Sequence, residues 1–127
     1  MTNMIYCERP RPTEIGGEIQ DGGFAYRLEY NWAQWPAPLE GVHTLNGVFG
    51  PDGNLYVATE NKEYPVAVLS PRGEFLGSFG AGLFEKAHSV FFTPSHTVLV
   101  ADSSKTAHVI REITLDGALV RDFGTLG

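Results

Sequence analysis

The sequence predicts an all-β chain built from two tandem four-stranded units. Three observations carry this: an internal repeat of 42 to 44 residues, short apolar runs bounded by turn residues, and no helical periodicity of useful length. Asn46-Gly47-Val48-Phe49 aligns with His88-Ser89-Val90-Phe91, and Leu55-Tyr56-Val57-Ala58-Thr59 with Val98-Leu99-Val100-Ala101-Asp102. Ser70-Pro71-Arg72-Gly73 aligns with Thr114-Leu115-Asp116-Gly117, and Ser78-Phe79-Gly80 with Asp122-Phe123-Gly124. One such match could be chance; several in order are not.

Each repeat divides into four strands, at 46–50, 54–59, 65–70 and 74–79 in the first and 88–93, 97–102, 107–114 and 118–123 in the second. Val, Leu, Phe and Tyr favour the pleated backbone, while Pro51-Asp52-Gly53, the polar stretch 60–64 and Pro71-Arg72-Gly73 supply turns. Four strands repeated every 40–45 residues or so is the pattern of propeller blades. The chain therefore reads as an irregular N-terminal arm at 1–23, an extra edge strand at 24–38, one blade at 39–80 and a second at 81–127. In the edge strand, Phe24, Tyr26, Leu28, Tyr30 and Trp32 alternate onto one face, as expected of a strand latched onto the edge of a blade in its own chain or a neighbour.

Hydrophobic residues at 43% and charged residues at 19% place the chain among globular proteins. A net charge of −6, with no run of basic residues, excludes a nucleic-acid partner. No apolar run approaches a membrane span or a signal-peptide core, so the chain reads as soluble and cytoplasmic with no membrane partner. Cys7 is the single cysteine and reads as an incidental thiol, since no histidine lies near it in the sequence.

Gly47-Val48, Pro51-Asp52-Gly53-Asn54-Leu55-Tyr56-Val57-Ala58, Val66-Ala67-Val68-Leu69 and Gly73-Glu74-Phe75-Leu76-Gly77-Ser78-Phe79-Gly80 together resemble an NHL repeat. More narrowly, Gly82-Leu83-Phe84-Glu85-Lys86-Ala87-His88-Ser89-Val90 resembles the peptidyl-α-hydroxyglycine α-amidating lyase branch of six-bladed propellers. Phe24 to Pro36 resembles the strand that opens bacterial members, so the resemblance covers 24–127. It implies a ring of six blades. Two blades leave an apolar flank on each side, and three chains related by a closed rotation would complete the ring as a homotrimer.

The resemblance also implies that His88 is a zinc ligand, with ligands drawn from alternate blades. Three copies would then present three imidazoles on the ring axis with one open position, the geometry of catalytic zinc. Asn46, aligned with His88 in the first repeat, is the expected channel-lining residue. Read from the residues alone, His88 is a strand-end histidine bonded to backbone. Glu60-Asn61-Lys62-Glu63-Tyr64 stands where bacterial relatives carry an arginine and a histidine, and it holds neither. Lys62 and Tyr64 are left as the catalytic candidates there, and an ammonium does not replace a bidentate guanidinium.

Among the remaining residues, His108 reads as a turn residue holding backbone, His43 and His96 as surface residues in connecting segments, and Asp52, Asp102 and Asp116 as turn formers. Trp32 and Trp35, with Tyr26 and Tyr30, form either a ligand-binding aromatic face or packing for the added strand. The expected function is a self-assembling propeller that binds or scaffolds a peptide or small molecule, with a three-histidine metal site on its axis. The alternative is a zinc-dependent lyase acting on a peptidyl-α-hydroxyglycine substrate.

Overall fold

The computed structural model describes residues 17–27, 29 and 31–125, and it separates the chain into two compact units, 1–32 and 33–127. In the first unit, strands β1 (Glu18–Asp21) and β2 (Phe24–Arg27) form an antiparallel hairpin. Gly22 and Gly23 turn it, at φ of 56° and 85°. Part of the segment expected to be irregular is thus a strand. Phe24 and Tyr26 share a face with ring centroids 6.3 Å apart, as their period-2 spacing requires. Residues 1–16, Leu28 and Tyr30 lie outside the described residues.

The second unit holds two four-stranded antiparallel sheets, with strands in chain order across each. Sheet 1 comprises β3 (Thr44–Phe49), β4 (Leu55–Thr59), β5 (Val66–Leu69) and β6 (Phe75–Phe79). Sheet 2 comprises β7 (Ala87–Phe92), β8 (Val98–Asp102), β9 (Val109–Ile113) and β10 (Leu119–Phe123). Every strand of the two sheets falls within a residue or two of its expected place. Among the described residues, no helix is long and apolar enough to cross a membrane. The expected edge strand at 24–38 is not continuous: beyond β2 it contains one parallel bridge, Gln34 to Glu74 beside the start of β6, and a 3-10 turn at Ala37–Leu39.

The ladders make the two sheets copies of one another. Thr44 pairs with Thr59 and Ala87 with Asp102, each followed by a bulge, so β3 and β4 map onto β7 and β8 with a displacement of 43. Val66 pairs with Phe79 and Ile110 with Phe123, so β5 and β6 map onto β9 and β10 with a displacement of 44. The extra residue is His108, which takes a left-handed φ of 48° just before β9. The tight turns repeat as well. Gly50 N–H donates to Asn54 O as Thr93 N–H does to Thr97 O, and Ser70 N–H to Glu74 O as Thr114 N–H does to Ala118 O. In the turns that begin at Ser70, Thr93 and Thr114, the hydroxyl at the first position caps backbone N–H groups.

This register corrects the first segment of the sequence alignment. Leu45 stands where His88 does, and Asn46 where Ser89 does, one residue away from the expected match. The Val-Phe pairs at 48–49 and 90–91 suggest the wrong slip, and a one-residue slip exchanges the two faces of a strand.

One face of sheet 1 packs on one face of sheet 2. Val48, Tyr56, Ala58, Val66 and Phe79 meet Val90, Phe92, Val98, Val100 and Ile113, with Phe84 from the connector and Ala87 from the start of β7 closing the core. Tyr56 sets its ring edge-on to Phe92, centroids 4.8 Å apart. A polar stitch joins the same faces: Val90 N–H, unused by the β7–β8 ladder, donates to Asn46 Oδ1 at 2.9 Å.

Candidate functional site

The start of β3, the loop after β4, the 80–86 connector, the start of β7 and the loop after β8 lie at one end of the two sheets. Most of the polar side chains singled out from the sequence gather there. His88 is the bulge residue of β7; it is exposed and sits at an edge strand of sheet 2. Bulges commonly re-aim a side chain in this way. One chain supplies one imidazole at this place, because the equivalent residue of sheet 1 is Leu45. Among the described residues, no three of His, Cys, Asp or Glu converge within the chain to hold a metal ion. A three-imidazole site thus requires three copies. Asn46, expected to line a channel, has its side-chain oxygen committed to Val90.

Lys62 is ion-paired with Glu85, Nζ to Oε2 3.8 Å, with both side chains largely in solvent. Tyr64 packs near Phe75, centroids 6.4 Å apart, while its carbonyl accepts from Thr59 Oγ1 at 2.7 Å. Their contacts are structural. His43 Nδ1 lies 3.4 Å from Glu60 Oε2, and Lys86 Nζ lies 2.8 Å from Glu60 Oε1. Lys86 above all, and His43 after it, hold the Glu60 carboxyl below the usual range. A shallow depression of ≈ 510 Å³ is lined by Gly41, Val42, His43, Glu60, Asn61 and Lys62. It carries charges of both signs already paired, so it suits a small polar ligand better than a strongly charged one.

Asp102 anchors this end. Its carboxylate accepts from Glu85 N–H at 2.7 Å, Ser104 N–H at 2.9 Å and Lys86 N–H at 3.3 Å. Burial alone would raise its pKa, but the N–H groups of Ser104, Glu85 and Lys86 together hold it below the usual carboxylate value. The turn role expected of Asp102 is there in the Ser104 bond. Tying the connector to β8 is the larger part of its work. Asp102 also borders a smaller cavity of ≈ 200 Å³ with Phe84, Ala107 and Arg111. The Arg111 guanidinium lies 5.9 Å from the Phe84 ring centre and bonds Asp122 at 3.2 Å.

His108 behaves as a turn residue, its Nε2 within 3.1 Å of Lys105 O. His96, at φ 61°, occupies the turn position that Gly53 fills at φ 81° in the first repeat. Trp35 and Trp32 lie outside the strands. Sequence reasoning missed Glu60 with Lys86, and a charged quartet on the outer strands of sheet 2. Arg111, Glu112, Arg121 and Asp122 replace Ala67, Val68, Gly77 and Ser78 of sheet 1. The displacement of 44, read strand by strand for departures instead of matches, would have found the quartet.

No protein-family profile and no curated protein matches the chain. Among solved structures, it is similar to a protein of unknown function from Bacteroides caccae, at 19% identity and a TM-score of 0.52. The match covers 82% of this chain and 50% of that one, so the chain spans about half the length of its structural neighbour. At that identity the likeness concerns the fold alone, which in this chain is all-β with two four-stranded antiparallel sheets.

Proposed function

We propose that this chain is a two-blade unit of an NHL-type β-propeller that completes its ring with further copies of itself. Three chains would give six blades, and the assembled ring would act as a binding or scaffold module for a peptide or small polar ligand. The observation that carries the reading is the exposed face of sheet 2. Phe91, Leu99, Ala101, Ile110 and Phe123 are the register equivalents of Val48, Tyr56, Ala58, Val66 and Phe79, the residues that sheet 1 buries on sheet 2. In sheet 2, Phe91 is 55% exposed, and Ile110 and Phe123 are each 43% exposed. A repeat unit that buries this face once has a reason to bury it again.

In such a ring, three copies of His88 would come round one axis, and zinc bound by three imidazoles would keep an open coordination position for a ligand oxygen. The engagement of Lys62 by Glu85 and of Tyr64 by Phe75 favours binding over the lyase chemistry. The test is metal analysis of the purified protein after zinc addition, set beside its mass in solution. One zinc per three chains, abolished by His88→Ala with the mass unchanged, is the expected result. A three-chain assembly that takes up no zinc would remove the metal site and leave the scaffold.

A further inference from the structure

We infer that a second copy of this chain docks β3 of its sheet 1 on β7 and β8 at the free face of sheet 2, repeating the way β7 packs on β3 and β4 inside the chain. The rest of that face of sheet 1, at Val57, Ala67 and Leu69, is already buried within the chain. The inference rests on the self-assembly proposed above and adds which surfaces meet. Head-to-tail contacts of this kind join two different patches, and they close into a ring when the rotation permits.

The register names the contacts. Inside the chain, Tyr56 of sheet 1 meets Phe92 of sheet 2 edge to face. Leu99 is the sheet 2 equivalent of Tyr56, and Phe49 is the sheet 1 equivalent of Phe92. Across the junction, Phe49 of one copy therefore seats against Leu99 of the next. Phe49 is 66% exposed, the value of a large aromatic side chain with its partner missing.

The polar stitch maps in the same way. Asn46 Oδ1 takes the free-edge N–H of Val90. The equivalents are Ser89 and Gly47, so Gly47 N–H faces Ser89 Oγ of the neighbour. Gly47, like Val90, belongs to a pair whose N–H groups point away from the ladder.

The margin of the face is polar. Glu112 stands where Val68 does in sheet 1, held by Arg121 Nε at 2.6 Å and Thr97 Oγ1 at 2.5 Å. The Arg121 guanidinium in turn covers the Phe123 ring at 4.8 Å. An apolar centre with a satisfied ion pair at its edge is the anatomy of a protein interface.

The test uses the full chain with Cys7→Ser. A Cβ at Gly47 would lie 3.5 Å from Leu55 Cδ1, an ordinary contact, so Gly47→Cys is sterically tolerated. Chains carrying only Gly47→Cys are mixed with chains carrying only Ser89→Cys and treated with a short bismaleimide. The expected product is the heterodimer, at least tenfold over either homodimer. In parallel, Phe49→Asp and Phe91→Glu should reduce the solution mass to one chain, and Leu115→Glu, on a turn away from the face, should not. A wild-type mass of several chains with no Gly47–Ser89 product, and no effect of either charge, would overturn the assigned surfaces while leaving self-assembly standing. A wild-type mass of one chain would overturn both. If a charged variant fails to fold, the crosslink still decides.

Discussion

Asp102→Ala is the substitution whose cost follows most directly from the structure. The residue is 4% exposed and its carboxylate accepts three backbone N–H groups, two of them from the connector that carries the chain from sheet 1 to sheet 2. Alanine leaves those donors without an acceptor. Counting the two short bonds, at 2.7 and 2.9 Å, as charge-assisted and the 3.3 Å bond as weak gives a loss of about 3 kcal/mol. In urea, with a slope of roughly 1.5–2 kcal/mol per molar, the midpoint should fall by about 1.5–2 M. Both proteins are compared at one concentration, because assembly would make the midpoint concentration-dependent. Asp102→Asn keeps one acceptor oxygen and should cost about half as much. The effect should also depend on pH. The folded state holds the Asp102 pKa below its unfolded value, so the contribution is complete above the unfolded value, about 3.9, and is lost as pH falls through the folded one. The gap between wild type and Asp102→Ala should therefore be constant from about pH 7 to about pH 4 and narrow below. A gap under about 0.5 kcal/mol at neutral pH, or one that does not change in acid, would refute the anchoring role.

The same repeat supports further expectations. Asn46→Ala strands the buried Val90 N–H and should destabilise by about 1–3 kcal/mol in urea unfolding, whereas Asn46→Asp, which keeps the acceptor, should lose less. His96→Gly relieves a left-handed residue at the position where the first repeat already has Gly53, and should stabilise by about 0.5–1 kcal/mol in thermal unfolding. A loss there would contradict the equivalence of the two turns. Tyr56 donates to Asp52 at 2.9 Å, and burial together with that bond pushes its pKa up to about 12. Its contribution should be complete below the unfolded value, about 10, and lost as pH rises through about 12, visible as a late step in an ultraviolet titration that Tyr56→Phe removes.

The strands are legible in the sequence because their signals are local. Period-2 runs such as Leu55–Thr59, with Pro-Asp-Gly or Pro-Arg-Gly between them, state both the strand and its end. The slip at β3 and β7 is not legible. A bulge adds a residue without leaving a mark in composition, and the Val-Phe pairs outweigh the true register. The role of Asn46 is hidden for the same reason: its partner, Val90, is 44 residues away on the other sheet. The alternating aromatics at 24–32 signal a strand without saying where it ends or what it pairs with, so they promise a longer edge strand than β2. The neighbours of Asp102 point to a turn former and no more. Its bonds to Glu85 and Lys86 depend on the connector folding back, and that is a tertiary fact.

The mass of the intact protein in solution, by light scattering on a size-exclusion column, tests the central claim most directly. Three times the 13.9 kDa of one chain is the predicted value, with Phe91 and Phe49 both covered in the ring. A stable mass of one chain, unchanged across protein concentration, would contradict it.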